Sequence, residues 1–250
     1  MKSILKIVFI SILSISLTAC GKKVCTIDGC EEEGVADETY EEIYCAKHLK
    51  NKKAFDASKA AYDNVNSAYK ITEDMGEDIY EAWRCAIYDK KDVEKEGLSF
   101  LCKNMNLSED EIAIGAVELL NKYDWDTMSE SDKENLIKDI KDTFPYLFKQ
   151  MDSQFSLCVG LVTSAYNARG DIENAQSYLD TAKTQMKDLS DKYSDYEHYP
   201  ALKGYYTTTS SFFDFCQNPQ GSFEQLKSTI ENYRNDARDY NSDLDYIFVD

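Results

Sequence analysis

The chain has 250 residues, of which 46 are acidic and 28 basic, so its formal net charge is −18 at neutral pH. Such a charge repels the phosphates of nucleic acid and the headgroups of anionic lipids, and we expect neither as a direct partner of the protein body. The length allows one large domain or a small module followed by a larger one. Because 43% of the residues are hydrophobic, there is enough apolar side chain for a sizeable core.

The chain begins with a segment typical of a targeting signal, MKSILKIVFISILSISLTAC. A short basic start with Lys2 and Lys6 precedes an apolar run from Ile7 to Leu17. That run is shorter than the ~20 residues that a helix needs to span a bilayer. The pattern therefore predicts a signal peptide over residues 1–19.

The leader ends in Leu17-Thr18-Ala19-Cys20 and resembles the lipobox of bacterial lipoprotein precursors. In that family the signal peptide is cut just before the cysteine, and its sulfur receives a diacylglycerol. The resemblance thus implies a mature chain that starts at a lipidated Cys20 and is held on the extracytoplasmic face of the cell membrane. At least two fatty acyl chains, such as palmitate, would make this anchoring stable. An ordinary secretory signal or a short membrane anchor is the alternative.

Four potential metal ligands follow, with the spacing Cys25-x4-Cys30-x14-Cys45-x2-His48. Zinc prefers four nitrogen and sulfur ligands in a tetrahedron, and two short pairs separated by a loop are typical of such sites. Gly29 permits the tight turn that the first pair needs. Because protein side chains fill all four positions, we expect a structural zinc ion and not a catalytic one.

The ligand pattern also resembles the Cys3His zinc knuckles of several bacterial proteins, but only the ligand set is shared. A disulfide framework is the rival interpretation, since an exported chain meets an oxidising compartment in most organisms. Residues 20–50 contain few large apolar side chains. We therefore expect them to form a lipid-anchored module that depends on zinc for its fold.

Residues 51–250 are expected to form an acidic domain of long helices, because apolar residues recur there at helical spacing and prolines are rare. A first helix of about 35 residues is predicted directly after the module, and Pro145 is expected to end a shorter helical insert. Helices are predicted over about 109–122 and 131–142, because Ser108 with Glu111 and Ser131 with Glu134 each fit the capping box of a helix start. The remaining predictions are a bend at Arg169-Gly170-Asp171, a helix from Pro200 to about 217, and a last helix that is capped by Ser222 with Gln225 and runs to about Tyr240. The predicted fold class is all-α, an elongated antiparallel helical bundle preceded by a small zinc-knuckle module.

No motif for catalysis is found in the helical region. His198 is its single histidine, so neither a hydrolytic triad nor a di-iron site has enough ligands, and no phosphate-binding loop occurs. Scattered cysteines at apolar positions are expected to be buried free thiols; they are Cys85, Cys102, Cys158 and Cys216.

Two functions follow from these features. The favoured hypothesis is a non-catalytic lipoprotein at the cell surface, in which a structural zinc site precedes a helical domain that binds an unknown protein or other envelope partner. The alternative is a cell-envelope enzyme with a dispersed carboxylate and tyrosine site in the helical domain. A convergent pocket of acidic residues with raised pKa values would favour the enzyme.

Overall fold

The structure is a computed structural model that describes residues 23–120, 125–151 and 153–249. The predicted signal peptide and Cys20 lie outside these ranges. The chain divides into two compact units, and the division falls between Lys52 and Lys53. In the described part of the chain, no helix combines the length and the apolar character that crossing a membrane requires.

The first unit contains a small antiparallel sheet. Strand β1, Gly34–Val35, pairs with β2, Tyr44–Cys45, with Gly34 opposite Cys45. Val24 adds an isolated bridge to Glu33. The buried side chains among the described residues of this unit are Cys25, Tyr44 and Cys45, so its apolar core is very small.

Helices make up most of the described chain, and the prediction of an all-α bundle is confirmed. The α-helices are α1 Ala46–Tyr88, α2 Lys90–Glu96, α3 Leu98–Leu101, α4 Glu109–Leu120, α5 Glu130–Gln150, α6 Gln154–Ala168, α7 Asp171–Tyr193, α8 Tyr199–Gln217 and α9 Phe223–Phe248. Short 3-10 turns cover Cys102–Asn104 and Trp125–Thr127.

Aromatic side chains fill the interior of the helical unit. Near its N-terminal end, Tyr62 and Tyr205 pack beside Phe248 of α9, with ring centroids 5.3 to 6.1 Å apart. A second, larger cluster surrounds Trp83 of α1 and the facing sides of α4 and α6. Buried rings of this size supply much of the hydrophobic free energy of a bundle.

Gly115 sets the close approach of α4 to α6. A Cβ atom added there would lie 2.6 Å from the backbone nitrogen of Ala165 and 2.8 Å from the carbonyl oxygen of Leu161. The two helix backbones are therefore in direct contact at this point, which only glycine permits.

Two of the predicted helix caps are confirmed, and one is wrong. The Ser108 amide donates to the Glu111 carboxylate at the start of α4, and Ser222 and Gln225 form a complete capping box for α9. Helix α5, however, begins at Glu130, and its cap lies two residues before the predicted one. Its cap is Ser129, whose hydroxyl accepts a hydrogen bond from the Asp132 amide, and not Ser131.

The prediction that Pro145 ends a helix is wrong, because α5 continues through it. Proline inside a helix removes one hydrogen bond and costs about 3 kcal/mol. Here Phe144 and Phe148 are both buried on one side of the helix, one turn apart, and their rings are in contact. The proline ring also lies against Gly97, where an added Cβ would be 3.0 Å from its Cγ atom. The burial of these side chains offsets the missing hydrogen bond.

Two predicted helix boundaries also differ from the structure. Helix α1 begins at Ala46, immediately after β2, instead of near residue 51. Helix α9 extends beyond Tyr240 to Phe248, because Leu244 and Phe248 continue its buried apolar face.

Candidate metal centre

Each predicted ligand is positioned by a local element of the first unit. Cys25 is held by its amide, which donates to the Glu32 carbonyl, and Cys30 closes a turn in which its amide donates to the Ile27 carbonyl. Gly29 lies in this turn with a φ of 78°, a left-handed conformation that favours glycine. Cys45 ends β2, and His48 lies in the first turn of α1.

The four side chains converge. Their candidate ligand atoms all lie within 4.8 Å of one another. The Nδ1 atom of His48 is 3.2 Å from the Cys25 sulfur and 3.4 Å from the Cys45 sulfur. A group of three sulfurs and one imidazole nitrogen at these distances can hold a metal ion.

The disulfide alternative is not realised at this site. The sulfurs of Cys30 and Cys45 are 3.9 Å apart, whereas a disulfide bond is about 2.05 Å long. All seven cysteines among the described residues are free thiols. The thiols of Cys25, Cys30 and Cys45 therefore all remain available to a metal.

Hydrogen bonding prepares Cys25 for cation binding. Burial raises the pKa of its thiol, but hydrogen bonds from the backbone of Cys45 and Ile27 and from the His48 side chain lower it more, and the resulting pKa is about 6. A thiol with that pKa is mostly ionised at neutral pH, and the thiolate is the form that binds metals.

An ion can reach the cluster from solvent. Cys25 and Cys45 are buried, but Cys30 and His48 are half-buried and border a surface depression that Glu31, Glu32 and Lys47 also line. The carboxylates at this rim favour the approach of a cation.

The cysteines of the helical unit are not members of this cluster. Burial raises the pKa of the Cys85 thiol to about 11 and that of Cys102 to about 12, and it raises the pKa values of Cys158 and Cys216 as well. These thiols stay protonated at neutral pH. Cys85, Cys158 and Cys216 are buried, as predicted, whereas Cys102 is half-buried. His198 is half-buried and lies 3.2 Å from the Glu197 carboxylate.

A buried carboxylate in the helical unit was not anticipated from the sequence. Asp78 is fully buried, and it accepts hydrogen bonds from the Asn106 amide at 2.8 Å and from the Tyr166 hydroxyl at 2.9 Å. In the sequence, the one indication that Asp78 is buried is its position between Met75 and Ile79, on the apolar face of α1. Burial raises the pKa of Asp78 to about 6, although its hydrogen bonds with Asn106 and Tyr166 oppose the shift.

The Asp78→Asn variant should be more stable than the parent at neutral pH. The raised pKa of Asp78 means that its ionised form destabilises the folded state. This cost is absent below about pH 4, grows as the pH rises towards 6, and reaches about 3 kcal/mol at pH 7. An asparagine can still accept from the Asn106 amide and can donate to the Tyr166 hydroxyl. We therefore expect the free energy of unfolding to rise by about 1–3 kcal/mol at pH 7.

Denaturant unfolding at several pH values tests this expectation. The advantage of the variant should shrink as the pH falls from 7 to 4. As a matched control, Asp188→Asn removes an exposed carboxylate paired with Lys192 and should change stability by less than about 0.5 kcal/mol. An Asp78→Asn variant that is less stable than the parent at pH 7 would show that the ionised carboxylate is stabilising instead.

Comparisons of the chain with known protein families, with curated proteins and with solved structures gave no match.

Proposed function

We propose that this protein is a lipid-anchored, non-catalytic lipoprotein of the extracytoplasmic membrane face, with a structural zinc ion in its N-terminal module and a helical unit that binds a partner. The observation that carries the proposal is the convergence of Cys25, Cys30, Cys45 and His48 within 4.8 Å. Because the protein supplies all four ligands, the metal has no coordination position for a substrate.

Zinc fits this ligand set better than other common ions. Zinc–sulfur bonds of about 2.3 Å and zinc–nitrogen bonds of about 2.0 Å in a tetrahedron place the ligand atoms roughly 3.5–3.8 Å apart. Three of the six separations here are 3.2, 3.4 and 3.9 Å, and all six are within 4.8 Å. Calcium and magnesium require oxygen ligands, and thiolates select softer ions.

The membrane anchor is proposed from the leader, in which a basic start and an apolar run lead to Leu17-Thr18-Ala19-Cys20. A lipid on Cys20 would tether the chain. Removal of residues 1–19 would take away Lys2 and Lys6 and no acidic residue, so the mature chain would carry 46 acidic and 26 basic residues, and its net charge of −20 would repel the rest of the protein from anionic headgroups. This arrangement leaves the helical unit accessible to a partner in the surrounding solvent.

The enzyme alternative gains no support from Asp78. Its carboxylate has the raised pKa that an active site would use, but it is fully buried and hydrogen-bonded to Asn106 and Tyr166. A substrate would have to displace these partners to reach it. The buried network is better explained by stabilisation of the contact between α1 and α6.

Native mass spectrometry of the protein extracted with detergent from a bacterial host tests both parts of the proposal. We expect a mature chain that starts at Cys20, carries a diacylglycerol and at least one further acyl chain, and binds one zinc ion. Cys20→Ser should lose the lipid mass and leave the zinc in place. An unprocessed or unlipidated wild-type chain would refute the anchoring, and a chain without zinc under reducing conditions would refute the metal.

A further inference from the structure

A groove runs along one side of α6 in the helical unit. Phe155 and Gly160 of this helix lie in its lining, together with Leu119 of α4 and Gln217, Asn218 and Pro219 at the end of α8. The groove encloses about 340 Å³. Pockets that bind small molecules typically have volumes of about 300–1,000 Å³.

Gly160 has no packing role that explains it. It lies inside α6, where glycine is less favourable than alanine. An added Cβ would meet only the Leu119 side chain, at an ordinary contact distance of 3.5 Å. At Gly115, Gly76 and Gly204, by contrast, an added Cβ would come within 2.6 Å of a neighbouring atom. Glycine at position 160 instead keeps the floor of the groove open, as sites of close ligand approach require.

An aromatic ring forms one wall of the groove. Phe155 is 42% exposed, and its ring stacks on Trp83 with centroids 5.1 Å apart and an interplanar angle of 15°. Trp83 is itself buried. The stack fixes the orientation of the Phe155 ring while leaving part of it accessible to an apolar ligand face.

The polar groups of the groove are hydroxyls and amides. They come from Ser156, Thr163, Ser164, Gln217 and Asn218. Among the described residues, none that lines this groove is charged, although 30% of the chain is charged. Such a lining can hydrogen-bond to a ligand but has no charged side chain to pair with a charged one. It therefore suits a neutral ligand with many hydrogen-bond donors and acceptors.

A second, shallower concavity of about 640 Å³ follows α7 and shares Gln217 with the groove. Its lining again includes hydroxyls and amides, from Gln176, Ser177, Thr181 and Thr184. It also includes the carboxylates of Glu173 and Asp180, which disfavour an anion. The two concavities together suit an extended ligand.

We propose that this surface binds a neutral oligosaccharide, with the apolar face of one sugar ring on Phe155 and the hydroxyls of neighbouring units on the Ser, Thr, Asn and Gln side chains. Sugar hydroxyls both donate and accept, as these side chains do. A peptide that binds as an added strand would instead need a sheet edge, which the helix α6 does not offer. The inference rests on the partner-binding role proposed for the helical unit and names its ligand class.

Isothermal titration of the full chain with maltohexaose, cellohexaose and N-acetylchitohexaose tests the assignment. We expect at least one of these sugars to bind with a 1:1 stoichiometry and to change the tryptophan fluorescence, because Trp83 lies beneath Phe155. Polygalacturonate, an anionic glycan, should bind at least 10-fold more weakly. Phe155→Ala and Gly160→Met should each weaken binding of the neutral sugar at least 10-fold.

Two control variants, Gly160→Ala and Tyr246→Ala, keep the test decisive. Gly160→Ala should raise the melting temperature, and this result would show that the position tolerates a side chain. The binding of Gly160→Met is counted only if the circular dichroism spectrum of this variant matches that of the parent. Phe155→Ala changes an exposed residue and serves as the second variant. Tyr246→Ala removes a ring that is 91% exposed near the end of α9 and should leave binding unchanged.

The assignment is overturned if none of the three sugars binds below 10 mM, or if Phe155→Ala and a folded Gly160→Met bind as the parent does. Equal binding of polygalacturonate would also overturn it. None of these results alters the lipid and zinc masses that test the proposed function. A failure of the sugar-binding assignment can therefore be told apart from a failure of the proposed function.

Discussion

The Gly115→Ala variant should lower the free energy of unfolding of the helical unit by about 3 kcal/mol, near the upper end of what overpacking of a core usually costs. The added methyl group would lie 2.6 Å from the Ala165 nitrogen and 2.9 Å from its Cα atom. Backbone atoms of a neighbouring helix cannot rotate away as a side chain can. Helices α4 and α6 would therefore have to separate, with loss of contacts around Ile112 and Val162.

Denaturant unfolding followed by far-ultraviolet circular dichroism measures this loss. Gly160→Ala is the matched control, because it makes the same substitution in the partner helix at a position with free space, and it should stabilise the protein by up to about 1 kcal/mol. Equal effects of the two variants would show that intrinsic helix propensity, and not the helix contact, determines the stability at Gly115.

The ligands of the candidate metal centre could be predicted from the sequence because the constraint is local. Short pairs such as Cys25 with Cys30 and Cys45 with His48 need only one turn each, and a turn is encoded by neighbouring residues. The caps at Ser108 and Ser222 were predictable for the same reason. The helical character of the second unit followed from the spacing of its apolar residues.

Features that depend on distant contacts could not be predicted. Helix α5 passes through Pro145 because the burial of Phe144 and Phe148 outweighs the local preference. The pKa of Asp78 depends on Asn106 and Tyr166, which are far away in the sequence.

The groove along α6 was missed for the same reason. Its lining combines residues from four helices and from the segment after α8. In the sequence, Gly160 could not be told apart from Gly115, because only the tertiary structure shows which of the two has free space.

Removal of one ligand should unfold the first unit and leave the helices intact. Two of the three buried side chains among its described residues, Cys25 and Cys45, belong to the metal cluster, and the third is Tyr44. The unit therefore has almost no apolar core apart from its ligands. Structural zinc contributes about 10–16 kcal/mol of apparent binding free energy in small folds, which is enough to replace that core.

We expect Cys45→Ala to bind zinc more than about 100-fold more weakly than the parent. Loss of a group that only hydrogen-bonds to a ligand already costs about 10- to 100-fold in metal affinity, and a missing thiolate removes a bond to the ion itself. Cys102→Ala is the matched control, since it deletes a thiol of the helical unit outside the cluster. It should retain one zinc ion with unchanged affinity.

Amide hydrogen exchange shows where the structure is lost. The amides of Cys25, Thr26 and Gly34 donate to carbonyls of Glu32, Ile43 and Lys23, respectively, and these bonds define the fold around the cluster. In Cys45→Ala, or after chelation of the parent, we expect these amides to exchange at rates close to those of an unfolded chain, while the amides of α6 to α9 stay protected. Because the helical unit has its own aromatic cores, its fold should not depend on the metal. Unchanged protection of these three amides after complete removal of zinc would mean that the strand pairing alone holds the unit together, and the structural role of the metal would then be wrong even if zinc binds.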